Sequence, residues 1–454
     1  MKSLFGTDGI RGEAGKYPLD ADTVRIVGSS LADHLSTAAA QALPSIVIGR
    51  DTRESGEWLE RALIEGASGL GAECLSAGVI TTPGVAYLTR LLQADAGVVI
   101  SASHNPYHDN GIKIFAPSGQ KIADAVERHI EEDILARKEV VVGAGQVAPG
   151  SEEKLRAHYL SFLSDEIGAG LNLSTLRVVV DCANGASSHL APDLFQKLGA
   201  DVVAINASPD GRNINLNCGS LHIESLQERV VAERADLGVA FDGDADRSLF
   251  VDAEGRFVDG DATLWVLANQ LKERKRLKGN IVVATVMSNI GLEIALRSIG
   301  VELIRADVGD KYVLDGLLKR DGSLGGEQSG HIILPELSLA GDGMITALCL
   351  TRAMIDSAKS LAELTSGFRR YPQVLVNVRV REKVAFEDLP SVQDAVRKVQ
   401  EQLSQNGRLL LRYSGTELLA RVMIEGANQT EIDTYAEQIA HEIRKEIGTG
   451  NLES

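Results

Sequence analysis

Short apolar runs and predicted helices alternate along most of the chain, and the alternation repeats. In the first copy the apolar run SIVIG leads into a polar turn, RDTRESG, a helix through WLERALIEGASGLGA and a second apolar run, CLSAGV. The same order recurs from RVVVD to DVVAINA, and again from NIVVAT to VELIRADV. Each copy predicts a strand, a helix and a second strand, which is the unit that builds parallel or mixed sheets.

A further apolar strand follows each copy and ends in an unusual polar loop. GVVI precedes SASHNP, LGVAF precedes DGDADR, and SLG precedes GEQSGH. Ligands of open α/β sheets gather beyond the carboxyl ends of the strands. Three such loops at equivalent places in three similar domains therefore predict one shared central site.

The pattern changes near Tyr371, where VLVNVRV alternates apolar and polar residues as a half-buried strand does. A long amphipathic helix, two more strands and a closing helix follow. We therefore predict an α/β fold of three similar mixed-sheet domains, plus a smaller C-terminal α+β domain, around a central cleft. The expected domains are residues 1–150, 151–254, 255–368 and 369–454.

Composition narrows the class of protein. The 454 residues are 44% hydrophobic and carry a formal net charge of -17, which disfavours nucleic acid and anionic membranes as partners. No segment has the roughly 18 consecutive apolar residues of a membrane span. The four cysteines are far apart and form no CxxC pair, so we expect buried unpaired thiols and a reduced cytoplasmic setting.

The loop DGDADR carries the most specific chemical signal. Asp242, Asp244 and Asp246 would repel one another strongly unless a cation lay among them. An all-oxygen ligand set suits a hard divalent ion such as Mg²⁺. A calcium loop of EF-hand type is the main rival, but it needs glycine where Arg247 stands and an acid where Ala253 stands.

The loop SASHNP offers a serine beside a histidine. Taken alone, Ser103 is more typical of a helix cap. His104 and His108 have the spacing of a helical zinc pair, but Pro106 lies between them and no HExxH glutamate is present. With a metal site expected at the same edge of the sheets, Ser103 becomes a candidate nucleophile or phosphate carrier, and Lys113 could complete its charge environment.

The third loop, Gly325 to His331, combines a carboxylate, an amide, a hydroxyl and an imidazole among glycines. Such a set can hydrogen-bond the neighbouring hydroxyls of a sugar, although a generic polar turn is the plainer interpretation.

The loop RYSGTE, Arg412 to Glu417, offers an arginine, two hydroxyls and a glycine backbone, which together suit an anion. Arg421 lies just beyond it and could equally be a surface residue. The N-terminal GTDGIRG does not match a Walker A loop, since Ile10 and Tyr17 occupy required positions. Arg11 is better explained as a charge that reaches into the cleft.

The motifs SASHNP, DGDADR, GEQSGH and RYSGTE follow one another in this order over essentially the whole chain, and together they resemble those of the α-D-phosphohexomutase superfamily. FGTDGIRG and GEQSGH favour its bacterial branch that handles glucosamine phosphates. The resemblance implies that Ser103 carries the catalytic phosphoryl group. It also implies one Mg²⁺ per chain, held by Asp242, Asp244 and Asp246 and touching the phosphate on Ser103.

The same resemblance assigns the remaining site residues. Arg247 and Arg11 would steady the transferring group, and Lys113 or His331 would handle the hydroxyl proton. Sugar hydroxyls would contact Glu327 and Ser329. The distal phosphate would bind Arg412, Ser414, Gly415, Thr416 and Arg421. The chain departs from the usual pattern of this branch at Tyr413, commonly lysine, and at Leu418, commonly proline, which bears on phosphate affinity rather than on the reaction.

The implied activity is interconversion of glucosamine 6-phosphate and glucosamine 1-phosphate, feeding UDP-N-acetylglucosamine and cell-wall synthesis. It requires phosphorylated Ser103 and a hexose 1,6-bisphosphate as activator and intermediate. Glucose or mannose phosphates are alternative substrates. An inactive phosphosugar-binding regulator and a phosphate-releasing hydrolase are the other classes. The only partner implied is a small phosphosugar, and the oligomeric state is left open, with a homodimer among the options.

Overall fold

The computed structural model describes residues 4–6, 8–38, 43–145, 147, 151–414 and 417–449. Contacts divide the chain into two compact units. The first unit contains the described residues up to Met287 together with Ile304–Ser366. The second contains Ser288–Leu303 and the described residues from Gly367 onward.

The first sheet of the first unit has six strands in the order β1-β2-β6-β5-β3-β4. The strands are β1 (Phe5–Gly6), β2 (Gly9–Glu13), β3 (Ser45–Arg50), β4 (Glu73–Val79), β5 (Ala96–Ile100) and β6 (Asp109–Phe115). Its helices are α1 (Ala21–Ala38), α2 (Gly56–Ser68), α3 (Thr82–Leu91) and α4 (Asp124–Ala136).

The second sheet has five strands in the order β11-β10-β9-β7-β8. Its strands are β7 (Arg177–Asp181), β8 (Asp201–Ile205), β9 (Leu237–Phe241), β10 (Ser248–Asp252) and β11 (Phe257–Val258). The helices of this region are α5 (Ser151–Ser161), which continues as a π-helix over Phe162–Ile167, then α6 (Leu190–Lys197) and α7 (Glu224–Glu233).

The third sheet has four strands in the order β13-β12-β14-β15. They are β12 (Ile281–Thr285), β13 (Glu302–Ala306), β14 (Gly325–Gly326) and β15 (Ile332–Ile333). The helices along this stretch are α8 (Gly260–Glu273), α9 (Ile290–Ser298), α10 (Asp310–Arg320), α11 (Gly343–Ser357) and α12 (Leu361–Thr365).

The three sheets share one arrangement, which confirms the predicted fold class. Each contains the series β4-β3-β5-β6, β8-β7-β9-β10 or β13-β12-β14-β15. In each series the third strand runs parallel to the second and antiparallel to the fourth. The polar loops 101–108, 242–247 and 327–331 join the third strand to the fourth in every case. The three polar loops, which occupy equivalent places in the repeated sequence pattern, therefore occupy equivalent places in the three sheets.

The apolar runs become strands because they are buried on both faces. Every residue of β5, β9, β10 and β12 is buried, as expected for strands covered on both sides of a sheet. Three of the four cysteines are buried, the fourth is partly buried, and all are free thiols. Among the described residues, no helix is long and apolar enough to cross a membrane.

The second unit is built on an antiparallel sheet in the order β16-β18-β17. Its strands are β16 (Gln373–Arg379), β17 (Arg408–Tyr413) and β18 (Leu419–Glu425), and its helices are α13 (Pro390–Leu403) and α14 (Gln429–Ile447). The apolar faces of both helices pack with the sheet in one cluster. Helix α9 also belongs to this unit: its capping residue Asn289 donates to Tyr371 O at 3.0 Å.

Candidate active site

Three carboxylates converge in the loop that joins β9 to β10. Ligand oxygens of Asp242, Asp244 and Asp246 all lie within 4.8 Å of one another, and the three residues are buried. The loop turns tightly at Ala245, whose φ is +55°. The alternate spacing of the acids therefore brings their side chains to one point.

Burial and neighbouring charges act differently on the members of this triad. Burial, followed by repulsion from Asp246 and Asp244, raises the pKa of Asp242 well above its ordinary value. Burial also acts to raise the pKa of Asp246, but Lys113 and His331 outweigh it and hold that pKa well below its usual range. The cluster therefore contains both a carboxyl that resists ionisation and one that is firmly ionised.

The triad suits a divalent cation. The Oδ1 atoms of Asp244 and Asp246 are buried, and neither has a hydrogen-bond partner among the described residues. Unpartnered buried carboxylate oxygens are costly unless a cation binds them. A compact all-oxygen donor set of this kind is the one that Mg²⁺ prefers.

Ser103 lies beside the triad. Its side chain is buried, and Oγ donates to Asp242 Oδ2 at 2.6 Å, across 139 positions of sequence. His104 Nδ1 lies 3.2 Å from the same hydroxyl. No helix begins after Ser103, since the loop leads directly into β6, so the helix-cap interpretation is wrong.

Lys113, on β6, neutralises part of the negative charge. Its Nζ lies 2.8 Å from Asp244 Oδ2, 3.0 Å from Asp8 Oδ2 and 3.5 Å from Asp246 Oδ2. Burial acts to lower the pKa of Lys113, but these three carboxylates outweigh it and raise that pKa well above its ordinary value. The side chain is therefore held as a cation.

Asp8 connects Lys113 to further cations. It forms ion pairs with Arg11, with Lys113 and, at 2.8 Å, with Lys121. Burial acts to raise the pKa of Asp8, but Lys113 and Lys121 outweigh it and lower that pKa. Lys121 in turn lies 2.8 Å from Asp310, at the start of α10. A chain of alternating charges thus extends away from the triad.

Arg247 and His331 also approach the acids. Arg247 Nε lies 3.8 Å from Asp246 Oδ1, and His331 Nδ1 lies 3.7 Å from Asp246 Oδ2. Burial favours the neutral imidazole, but Asp246 outweighs it and raises the pKa of His331 to about 9. Arg11, by contrast, pairs with Asp8 and contacts no member of the triad at salt-bridge distance within the described residues.

The third loop holds its carboxylate and hydroxyl together. Ser329 Oγ donates to Glu327 Oε2 at 3.2 Å, and Glu327 Oε1 accepts from Gly309 N at 3.1 Å. The loop rests on α8: Gly260 N donates to Gln328 O at 2.9 Å, and a side chain at Gly260 would meet Glu327 O at 2.0 Å. Gly260 therefore allows the loop to approach the helix end closely.

A cavity of about 810 Å³ in the first unit reaches Lys113, Asp246 and His331. Asp8, Lys121 and the start of α10 also line it, whereas Ser103 and Arg247 do not. The cavity therefore meets the triad from the side of the lysine and the histidine.

The predicted phosphate loop lies in the second unit, between β17 and β18. Arg421 Nη2 lies 3.5 Å from Ser414 Oγ, and Glu417 is 3.9 Å from Arg421. Gly415 and Thr416 lie outside the described residues. Tyr413, where the branch commonly has lysine, donates from its hydroxyl to Val384 O at 2.6 Å and stacks on Phe386.

Comparisons with known proteins agree with this arrangement. Four domains described for phosphoglucomutase/phosphomannomutase match the chain in order: domain I over residues 2–141, domain II over 157–255, domain III over 259–371 and the C-terminal domain over 375–442. The chain belongs to this phosphoglucomutase/phosphomannomutase family.

Relatives within the family share nearly the whole length. The chain is 52% identical to a phosphoglucosamine mutase from Solibacter usitatus, over 98% of this chain and 99% of that protein. It is 44% identical to a phosphoglucosamine mutase from Chlamydia abortus, over 100% of this chain and 99% of that protein.

Solved structures share the family fold. A phosphoglucomutase/phosphomannomutase family protein from Burkholderia thailandensis matches 98% of each chain, with a TM-score of 0.79 and 24% identity. An N-acetylphosphoglucosamine mutase from Aspergillus fumigatus, in complex with GlcNAc-6P and magnesium, matches 90% of this chain and 85% of that one, with a TM-score of 0.62 and 21% identity.

Several polar residues of this phosphoglucomutase/phosphomannomutase family member were not identified from the sequence. Asp8 stands inside the motif GTDGIRG, so the sequence does carry a local signal for it. Thr82, whose hydroxyl donates to Asp244 Oδ2 at 2.5 Å, and Lys121 carry no local signal. Their roles depend on packing between distant parts of the chain.

Proposed function

We propose that the protein is a phosphoglucosamine mutase, which interconverts glucosamine 6-phosphate and glucosamine 1-phosphate. The observation that carries the proposal is the 2.6 Å contact between Ser103 Oγ and Asp242 Oδ2. It joins a candidate phosphoryl carrier to a candidate metal site, and these are the two elements that phosphoryl transfer requires. The names of the relatives from Solibacter usitatus and Chlamydia abortus support the choice of amino-sugar substrate.

In the first step, phosphorylated Ser103 donates its phosphoryl group to the free hydroxyl of the sugar phosphate. The bond between phosphorus and Ser103 Oγ breaks, and a bond between phosphorus and the sugar oxygen forms. The hydroxyl proton ends on Ser103 Oγ, relayed by Lys113 or His331. The product is a sugar bisphosphate, and the serine hydroxyl then donates to Asp242 as it does here.

In the second step, the bisphosphate turns end for end and returns its other phosphoryl group to Ser103. Reversal of the same bond changes regenerates the phosphoserine and releases the isomeric monophosphate. A chain with unphosphorylated Ser103 is inactive until a hexose 1,6-bisphosphate donates a phosphoryl group. The bisphosphate is therefore both intermediate and activator.

Cations lie among the acids at the place where the phosphoryl group would transfer. A Mg²⁺ ion bound by Asp242, Asp244 and Asp246 would neutralise negative charge on that group. Arg247 supplies a guanidinium close to the same acids. Lys113 balances the carboxylates in an otherwise acidic protein. In this scheme Arg11 reaches the site through Asp8.

Two further sets of residues would bind the sugar hydroxyls and the distal phosphate of the substrate. Glu327 and Ser329 form a hydrogen-bonded pair that can accept from and donate to sugar hydroxyls. The distal phosphate would bind in the second unit, where hydroxyl, guanidinium and backbone N–H groups suit its oxygens. The residues assigned to it are Arg412, Ser414, Gly415, Thr416 and Arg421.

Intact mass spectrometry tests the assignment of the nucleophile. The purified protein, incubated with Mg²⁺ and glucose 1,6-bisphosphate, should gain the mass of one phosphoryl group. The gain should be absent in Ser103→Ala and present in Ser118→Ala, a control on an exposed serine of the same sheet region. A phosphoryl group that persists in Ser103→Ala would exclude Ser103 as the carrier.

Substrate specificity requires a separate assay. With the bisphosphate present, the 1-phosphates of glucosamine, glucose and mannose should be compared at equal concentration. Conversion of glucosamine phosphate should be fastest. Comparable rates on all three would exclude an amino-sugar mutase, and inorganic phosphate release without isomerisation would identify a hydrolase.

A further inference from the structure

The main chain of Ser103 is held from two sides. Its φ of +52° is a conformation that residues other than glycine rarely adopt. Its carbonyl oxygen accepts from Arg53 Nη2 at 3.2 Å and from Asn215 Nδ2 at 2.9 Å. Its N–H donates to Ser101 Oγ at 2.9 Å. Both polar groups of the residue's backbone are therefore satisfied by side chains.

The same two donors also hold the carbonyl of Asn105. Arg53 Nη2 donates to that oxygen at 2.6 Å, and Asn215 Nδ2 donates to it at 3.1 Å. Two donor side chains thus bridge two carbonyls of one loop. This arrangement fixes the direction of the main chain on both sides of His104.

Arg53 is itself fixed by a buried network. Its side chain is fully buried and pairs with Asp51, which is also fully buried. Asp51 accepts from Ser101 Oγ at 2.6 Å, and that hydroxyl accepts from Ser103 N. The stretch RDTRESG, which the sequence suggested only as a turn, therefore supports the serine loop.

Asn215 reaches the loop from the part of the chain that matches family domain II. Its own backbone is anchored, since Asn215 N donates to Ala183 O at 2.9 Å. A Cβ at Gly243 would lie 2.5 Å from Ser103 O and 2.9 Å from Asn215 Nδ2. The glycine inside DGDADR is thus required by the serine backbone and not by the acids. The metal loop and Asn215 approach the same carbonyl together.

We propose that Arg53 and Asn215 are positioning residues for the phosphoryl carrier: by binding the carbonyls of Ser103 and Asn105, they aim the Ser103 hydroxyl at the carboxylate triad. The proposal rests on the assignment of Ser103 under the proposed function. It adds that the orientation of the nucleophile depends on a donor from a second domain.

Asn215 provides the clearest test, because it is only partly buried and its replacement leaves no unpaired buried charge. Asn215→Ala should lower kcat by about 10-fold with KM changed less than about twofold, since misplacing a reacting group costs rate rather than binding. Asn215→Asp keeps the shape but directs a carboxylate at two carbonyl oxygens, and it should lower kcat at least as much. The rate of phosphoryl transfer from glucose 1,6-bisphosphate to Ser103, followed by intact mass, should fall by the same factor.

Asn217→Ala is the matched control. Asn217 lies in the same loop, is exposed and has a similar positive φ of 53°. The backbone strain introduced by alanine is therefore comparable at both positions, and any lower melting temperature of Asn215→Ala relative to Asn217→Ala measures the loss of its two hydrogen bonds to the carbonyls. Asn217→Ala should retain wild-type kcat.

The outcomes separate the two claims. Wild-type kcat in Asn215→Asp, or equal kcat in Asn215→Ala and Asn217→Ala, would overturn the positioning role. A change in KM alone would also overturn it. A wild-type protein that gains no phosphoryl group would instead overturn the proposed function. Arg53→Lys gives a second measurement. The lysine ammonium keeps the positive charge but lacks the forked guanidinium that reaches Asp51 and the carbonyls of Ser103 and Asn105. kcat should therefore fall in this variant as well.

Discussion

The site around Ser103 and the loop between β17 and β18 both contain several polar side chains. They differ in how far the protein itself pairs the charges of these side chains. In the first, the acids and cations are paired with one another and most are buried: the buried Lys113 lies near the buried Asp244 and Asp246 and near the partly exposed Asp8. In the second, the one carboxylate at salt-bridge distance from Arg421 among the described residues is Glu417, at 3.9 Å, and its side chain is 60% exposed. The Nε of Arg421 has no hydrogen-bond partner among the described residues.

The difference indicates what each region is built to receive. Internal ion pairs hold the central groups in one geometry, as catalysis of phosphoryl transfer requires. A guanidinium that is weakly compensated by the protein keeps its hydrogen bonds for an incoming anion. Under the proposed function, the first region would be organised before the substrate arrives, and the second would depend on the substrate phosphate for its partners.

Of the substitutions proposed here, replacing Lys113 should most strongly disturb the charge balance around the carboxylate triad. Lys113→Met leaves buried carboxylates without their cation, which typically costs about 3–5 kcal/mol in the free energy of unfolding. Mg²⁺ should restore more stability to this variant than to the wild type, because a cation at the triad replaces part of the lost charge. Denaturant unfolding with EDTA and with Mg²⁺ measures both effects. Lys197→Met, on an exposed lysine of α6, is the control, and an equal loss in the two variants would contradict the prediction.

Asp342 is a buried acid of the first unit that has no cation partner within the described residues. It caps α11 and accepts from the Tyr159 hydroxyl at 2.8 Å. Burial raises the pKa of Asp342 from 3.8 to about 6. Because the pKa is higher in the folded state, ionisation opposes folding. The stability of the wild type relative to Asp342→Asn should therefore fall as pH rises from 4 to 6 and stay constant above 6.

The expected size of that fall is about 3 kcal/mol, since one pKa unit corresponds to about 1.36 kcal/mol. Chemical denaturation of both proteins between pH 4 and 8 measures it. A difference between wild type and Asp342→Asn that does not depend on pH would disprove the prediction.

Replacing Arg421 tests the loop between β17 and β18. Arg421→Gln should raise KM for the sugar phosphate about 10-fold, equivalent to about 1.4 kcal/mol, because one charge-assisted hydrogen bond to phosphate is lost. Stability should change little, since the protein itself barely uses the guanidinium. Steady-state kinetics and thermal melting measure the two quantities. Arg397→Gln, on the exposed face of α13, should leave KM unchanged, and a large stability loss in Arg421→Gln would show that the arginine is structural.

The predicted features that the structure confirms, the fold class and the clustering of three acids, are those that depend on local sequence. In DGDADR the arrangement of the acids is local, because three acids at alternate positions of one tight loop lie close together. The repeated strand order also followed from local patterns. Other polar residues contact partners that lie more than a hundred positions away in the sequence, namely Asp8, Lys121 and Asn215. No spacing rule in a single sequence encodes such contacts.

Glu425, in the second unit, limits where the chain can be divided into fragments. It is fully buried, and it accepts from Asn289 Nδ2 at 3.2 Å and from Ile290 N at 3.0 Å, at the start of α9. A recombinant fragment cut from the C-terminal end alone would leave that carboxylate without these two donors. Chimeras that exchange C-terminal domains between relatives should therefore carry residues 288–303 from the same parent.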